Sequence, residues 1–308
     1  MATDSAFTIR RTNDYFFKRV FGSEEGKDVL IDFLNATQNR PLHDQIKRVK
    51  LEDREIDPER YLDKAARLDV VVTTELGHIF HVEVQVEKQF YLPKRILYYW
   101  SGLYHRQLQQ GTPFAQLLPT VSISILGFTY FQEDERYHHI FDIRDTETGK
   151  KLNEDLELHF LELTKIKKLA RGPKNALEEW LIYLNDIQGE ELEALAMSNP
   201  AIRKALTIEE MFKADASERR LYEMREKAFL DEISNVAGAK EEGEAKGRID
   251  DICKFMEARF GAESQTIQDL VRNMTDLDVL NRIVPRIFMV ASLEEANVLL
   301  QGSGVFPQ

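Results

Sequence analysis

The sequence predicts an α/β domain followed by an all-α C-terminal region. Residues 68–75 and 78–87 are rich in β-branched side chains and flank Leu76-Gly77, as the two strands of a hairpin do. Helical and strand-like patterns alternate up to about residue 172, whereas only helical patterns follow. We therefore expect two parts, residues 1–172 and residues 173–308, which agrees with the length of 308 residues.

The first expected element is helical. Residues 13–36 have the apolar spacing of a helix, and Asn13 or Thr12 can cap its N-terminus. Gly22 and Gly26 interrupt this pattern, so two short helices are expected here.

The register of the hairpin that follows decides whether two acidic side chains meet. With a two-residue loop at Leu76-Gly77, Asp69 and Glu83 fall on opposite faces of the sheet. With a three-residue loop, Gly77 takes the left-handed position that such loops require. Asp69 then lies directly opposite Glu83, with Cβ atoms ~5 Å apart.

Two ionised carboxylates at this separation repel each other unless a cation lies between them. Mg²⁺ suits such a pair because it binds carboxylate, carbonyl and water oxygens, and the Val84 carbonyl is the candidate third protein ligand. Alternatively, the polar residues His81, Glu83, Gln85 and Glu87 form the solvated face of an antiparallel sheet. The spacing alone leaves both interpretations open.

The rest of the first domain continues the alternation. Residues 92–110 are expected to form a helix, with Pro93 in its first turn and Gly111 as its stop. The apolar packing face of this helix is expected to include Tyr98, Tyr99 and Trp100. Further strands are expected over residues 46–51, 119–128, 138–143 and 157–163.

The chain beyond residue 172 is predicted to be a helical tail. Its charged segment, residues 217–250, contains Gly238, Gly243 and Gly247, each of which costs ~1 kcal/mol relative to Ala inside a helix. This segment is expected to be a solvated, weakly held helix or a linker. Residues 251–300 return to an amphipathic helical pattern.

The net charge of −12 argues, taken whole, against a nucleic-acid partner. Its distribution changes that interpretation. Residues 1–150 carry 20 Lys and Arg against 23 Asp and Glu, whereas residues 151–308 carry 21 against 30. No acid occurs between Lys88 and Gln132, a window that contains five basic or histidine side chains. Such a window indicates burial or contact with a negative partner.

Composition excludes other classes of protein. Cys253 is the only cysteine, which excludes a disulfide framework and a Cys-rich zinc site. No apolar run approaches the ~20 residues of a membrane span, and the N-terminus lacks the apolar segment of a signal peptide. A soluble cytoplasmic protein without a membrane partner is expected.

Five segments, in the same order, resemble the PD-(D/E)XK nuclease family transposases, also described as recombination-promoting nucleases of the Rpn type. They are NDYFFKRVFGSEEGKDVLIDFLN (13–35), LDVVV (68–72), HVEVQ (81–85), RILYYWSGLYHRQLQQG (95–111) and LLPTVSISILGFTYF (117–131). This resemblance implies a restriction-endonuclease-like core in residues 1–172, with a mixed sheet flanked by helices. It also implies a metal-dependent DNA endonuclease with Mg²⁺ (or Mn²⁺) as cofactor, a bacterial-type protein associated with the nucleoid when on DNA.

The resemblance also assigns roles at the hairpin. Asp69 and Glu83 match the acids of the family motif, which implies that both bind the metal and are catalytic. Gln85 stands where the broader superfamily has Lys, although Glu-x-Gln is familiar within this family. A neutral Gln can position water or substrate by hydrogen bonds but supplies no positive charge.

Other polar residues match the family or face its expected substrate. Asp14 and Lys18 match polar positions of the first helix, and Asp14 is a candidate to reach the metal through a water. Lys18, Lys94 and Arg95 are the candidate DNA-binding residues and candidates to replace the missing Lys charge. Cations at a helix start oppose the helix dipole, so a phosphate partner explains Lys94 and Arg95. An ordinary helix salt bridge and a solvated turn are the alternatives.

Two other functions remain open at this point. Because Gln85 replaces the Lys of the broader superfamily, the protein could instead be a catalytically inactive DNA-binding protein derived from a mobile element. The acidic tail allows an interaction protein in which the C-terminal helices form a homodimer or shield the catalytic face.

Overall fold

A computed structural model describes residues 7–52, 70–167 and 171–302. By its contacts the chain divides into two compact units, Met1–Arg225 and Glu226–Gln308. Each unit is described by itself.

The first unit contains a mixed sheet of six strands. They are β1 (Val49–Leu51), β2 (Val70–Thr74), β3 (Ile79–Gln85), β4 (Thr120–Leu126), β5 (His138–Phe141) and β6 (Leu156–Glu162). Their order in the sheet is β1-β2-β3-β4-β6-β5. The pairs β3–β4 and β4–β6 are parallel and the other three are antiparallel. The predicted α/β class with a mixed sheet is confirmed.

The hairpin of β2 and β3 has a three-residue loop. Val70 pairs with Val82, and the Thr74 amide donates to the His78 carbonyl at 2.9 Å. Gly77 closes the loop with a φ of 83°, in the left-handed region that glycine adopts without a steric cost. Along its described length, the hairpin therefore has the register from which the Asp69–Glu83 pairing was predicted.

Helices flank the sheet. The first unit holds α1 (Asp14–Phe21), α2 (Lys27–Gln38), α3 (Leu92–His105), α4 (Leu163–Ile166), α5 (Ala176–Leu184), α6 (Gly189–Ser198) and α7 (Pro200–Ala214), and α8 (Ala216–Phe260) continues into the second. The Asn13 side chain caps α1 by accepting from the backbone amides of Tyr15 and Phe16. The predicted break at Gly22 and Gly26 separates α1 from α2.

The two faces of the sheet pack against different helices. On one face, Phe80 and Ile123 join the large core formed with α1, α2, α5 and α7. The other face is covered by α3, whose Leu92 packs in a cluster with Leu158. Because β3 has a strand on each side and helices over both faces, its side chains are enclosed on both faces.

Helices beyond residue 172 pack against the start of the chain. The Trp180 indole donates to Asp32 Oδ2 at 2.8 Å, and Arg11 Nε donates to Glu209 Oε2 at 2.8 Å, with both partners of the second pair buried. Helices α5 and α7 therefore complete the core of the first unit. All strands in the described residues precede the boundary predicted after residue 172, and only helices follow it. The boundary between the two compact units lies further along the chain, within α8.

The second unit is helical throughout its described residues. The end of α8 packs with α9 (Gln265–Arg272), α10 (Leu277–Ile287) and α11 (Leu293–Gln301) around an apolar core. Helix α8 runs unbroken through its three glycines, and most of the charged stretch is exposed. None of the helices in the described ranges combines the length and apolar character that crossing a membrane requires.

Candidate active site

The polar side chains of β3 lie on the face of the sheet that α3 covers. His81, Glu83 and Gln85 are buried, with 1%, 3% and 5% of their surfaces exposed. The interpretation as a solvated strand face is therefore wrong for these three residues, whereas Glu87, which follows β3, is exposed. Burial of a carboxylate is unfavourable without compensating partners, so the contacts of Glu83 define what this site can do.

Glu83 is held by two partners that bind the same oxygen. Its Oε1 accepts a hydrogen bond from Arg95 Nη2 at 2.8 Å and another from the Gln85 side-chain amide. Arg95 lies in the first turn of α3, which brings its guanidinium over β3. Since both bonds from the described residues end on Oε1, the second oxygen, Oε2, is left for a further ligand.

Charge at the site comes from Arg95 and Glu83. Burial raises the pKa of Glu83 above its ordinary value, against the opposing effects of the Arg95 charge and the Gln85 amide. His81 Nδ1 lies 3.3 Å from Ser122 Oγ, and burial, with Arg95 nearby, lowers the pKa of His81 to about 3. His81 is therefore neutral near pH 7, and Arg95 supplies the positive charge beside Glu83.

The oxygen atoms around Glu83 fit a divalent cation. Ser124 is the register partner of Glu83 on β4, and its buried hydroxyl has no hydrogen-bond partner among the described residues. A carboxylate oxygen beside an unpartnered hydroxyl suits a hydrated cation such as Mg²⁺. In residues 7–52, 70–167 and 171–302, no three His, Cys, Asp or Glu side chains converge as a metal site.

Asp69 lies outside the described residues, so its pairing with Glu83 stays a prediction. The structure describes the hairpin from Val70 onwards, and Val70 pairs with Val82 as that prediction requires. Val84 is half-buried on β3, and the role of its carbonyl as a metal ligand also stays a prediction.

The first helix places Asp14 and Lys18 on its exposed side. Within the described ranges, no hydrogen bond or ion pair joins either side chain to Glu83. A Cβ built on Gly22 would lie 3.1 Å from Lys18 Cγ and 3.3 Å from Val70 Cγ2. Lys18 therefore lies beside the start of β2, where the predicted site begins, whereas no described contact ties Asp14 to that site.

The cations of α3 differ in their surroundings. Arg95 contacts Glu83, whereas Lys94 is exposed, with its Nζ 5.5 Å from the ring centroid of Tyr91. The contact of Arg95 with Glu83 was not predicted. The sequence signal for this contact is the position of Arg95 in the first turn of a helix. The helix dipole makes a cation unfavourable there unless an anion is close.

The aromatic residues of α3 do not all pack as predicted. Tyr99 packs at the edge of the cluster around Leu103, and the Trp100 indole donates to the Thr120 carbonyl at 2.7 Å. The prediction is wrong for Tyr98, which is 61% exposed. Its position lies outside the arc of α3 that faces the sheet, which helical spacing alone did not separate from its neighbours.

A mixed sheet flanked by helices, with a helical C-terminal region, is consistent with a PD-(D/E)XK restriction-endonuclease-like fold. The family model for PD-(D/E)XK nuclease family transposases matches residues 11–239, more than half of the chain. The chain therefore belongs to this family. Membership supports a nuclease-type function, and nucleases of this superfamily generally use divalent metal ions. Searches of curated proteins and of solved structures found no match.

Proposed function

We propose that the protein is a Mg²⁺-dependent DNA endonuclease, of the recombination-promoting type, that hydrolyses phosphodiester bonds. The observation that carries this proposal is the buried Glu83 carboxylate on a central strand, with one oxygen bonded and the other available to a cation. A carboxylate without a functional role is rarely kept in such a place, because its burial opposes ionisation.

The residues proposed to hold the metal are Asp69, Glu83 and the Val84 carbonyl, with Asp14 acting through a water. When bound, a divalent metal lowers the pKa of a coordinated water and polarises a phosphoryl oxygen. Gln85 donates to Glu83 in the described structure, and its amide is proposed to position the attacking water.

Arg95 is proposed to supply the positive charge that Gln85 lacks. Its guanidinium presents several donors in a planar fork that suits carboxylate and phosphate oxygens alike. Arg95 donates to Glu83 through Nη2, which places its positive charge at the carboxylate proposed to bind the metal. Lys18, on α1 beside the start of β2, and Lys94, on the exposed side of α3, are proposed to bind flanking phosphates.

Nicking of supercoiled plasmid tests the proposal. We expect nicking in Mg²⁺, none in EDTA, and a loss of about a thousandfold or more in Asp69→Asn, since a neutral amide replaces a charged metal ligand. Glu133→Gln, at an exposed acid, is the matched control and should retain full activity. Nicking that persists in EDTA, or undiminished nicking by Asp69→Asn, would reject the assignment.

A further inference from the structure

Two adjacent aromatic side chains are exposed beside the candidate active site. Phe90 is 89% exposed and Tyr91 is 74% exposed, in the turn between β3 and α3. A ring of this size is usually buried, because its apolar area makes a large contribution to the core. An exposed aromatic pair next to a site is therefore a candidate contact for a flat, apolar ligand surface.

The backbone holds Tyr91 in an unfavourable conformation. Its φ is 60° and its ψ is 27°, in the left-handed region, which is unfavourable for a bulky residue with a Cβ. Tyr91 also precedes α3 directly, and its carbonyl accepts from the Arg95 amide at 3.1 Å. Strain of this kind concentrates at functional sites, and the exposed ring of Tyr91 lies at such a position.

The turn is linked to Glu83 by one side chain and carries positive charge. Arg95 donates to Gln89, the residue before Phe90, and to Glu83 within the strand. Lys88 and Lys94 flank the aromatic pair and are exposed. Glu87, before Lys88, is also exposed, but no acid occurs from residue 88 to residue 132, so the charges that directly flank the rings are positive and complement a nucleic-acid backbone.

We propose that Phe90 and Tyr91 form a stacking platform for an unpaired base of the DNA strand that enters the site. Proteins that bind single strands combine aromatic rings, on which bases stack, with cations that contact the phosphates. A fully paired duplex keeps its base faces inside the stack, and exposing one requires unstacking. This inference rests on the proposed nuclease function and names its substrate class as DNA with unpaired nucleotides.

Equilibrium binding in EDTA tests the platform separately from cleavage. The probes are a fluorescent single strand of about 20 nucleotides, long enough for a typical single-strand site, and the blunt duplex of the same sequence. For Phe90→Ala/Tyr91→Ala we expect single-strand affinity to fall by about tenfold or more, and duplex affinity by less than about threefold. Phe90→Trp/Tyr91→Trp should retain the affinity of the native protein for the single strand.

Phe114→Ala is the matched control. Phe114 is 84% exposed and lies in the same acid-free window, but it precedes the start of β4, whereas Phe90 follows the end of the parallel strand β3. Because β3 and β4 are parallel, the two rings therefore lie at opposite ends of these strands. Phe114→Ala should leave binding to both probes unchanged, and thermal unfolding of each variant checks that the fold is intact.

Three outcomes would overturn the platform. They are unchanged single-strand binding by the alanine variant, an equal loss for both probes, and dissociation of an oligomer in sedimentation, which would assign the rings to contacts between protein chains. The nuclease proposal is judged by nicking in Mg²⁺ and the platform by binding in EDTA. Either can thus fail while the other holds.

Discussion

Glu83→Gln is expected to reduce Mg²⁺-dependent nicking by about a thousandfold or more, which corresponds to ~4 kcal/mol of transition-state stabilisation. The amide has nearly the same shape as the carboxylate but carries no charge for a cation. It can still accept the Arg95 hydrogen bond through its oxygen, so the buried site remains filled. Loss of activity with a preserved fold is therefore the expected result.

The pH dependence of stability gives this variant a second readout. Burial raises the pKa of Glu83, so the folded protein binds this proton more tightly than the unfolded chain does. The contribution of Glu83 to stability is then present at low pH and is lost as pH rises through the raised pKa. Gln has no such dependence.

Denaturant unfolding in EDTA measures this difference. The stability of Glu83→Gln relative to the native protein should increase as pH rises above the ordinary Glu pKa of 4.5. A stability difference that stays constant or falls as pH rises would contradict the inference that Glu83 is an unfavourably buried acid. A variant that nicks DNA at the native rate would contradict its catalytic role.

Arg95→Met is expected to impair the protein in two ways. It removes the cation from a nearly buried ion pair, and breaking such a pair costs ~3–5 kcal/mol when both groups are buried. Because the Arg95 side chain is 21% exposed, we expect a loss nearer ~2 kcal/mol in the free energy of unfolding, measured in EDTA. Nicking should also fall by about a hundredfold, since the positive charge proposed to replace the missing Lys is lost.

A double-mutant comparison separates the ion pair from packing. In the Glu83→Gln background the Glu83 charge is absent, so Arg95→Met should cost less stability there than in the native protein. Arg106→Met, at an exposed Arg after the other end of α3, is the matched control and should leave stability and nicking near native. An equal loss of stability in both backgrounds would show that Arg95 acts through packing rather than through Glu83.

Much of the first unit follows from local sequence patterns. The break at Gly22 and Gly26, the cap at Asn13 and the left-handed Gly77 are decided by residues close in the chain, and the structure confirms all of them. The hairpin register was predictable because loop length and glycine position determine it. Strand boundaries were predictable to within a few residues for the same local reasons.

What the sequence could not decide depends on residues far apart in the chain. Burial of Glu83 requires β4 on one side of β3 and α3 above it, and no local pattern shows that enclosure. Likewise, Trp180 and Asp32 meet only in the folded unit, so the packing of α5 on the start of the chain was not foreseen. Glu83 and Arg95 were both named as candidate site residues from the sequence, whereas their mutual contact needed the tertiary structure.

The central claim is that a divalent metal binds between Asp69 and Glu83. Anomalous diffraction from crystals soaked in Mn²⁺ tests it most directly, because the ion itself is located. We predict an anomalous peak within coordination distance of oxygen, ~2.0–2.3 Å, from both carboxylates. A fully soaked crystal with no peak at Glu83, or with Mn²⁺ bound elsewhere and Arg95 still on Glu83, would contradict it.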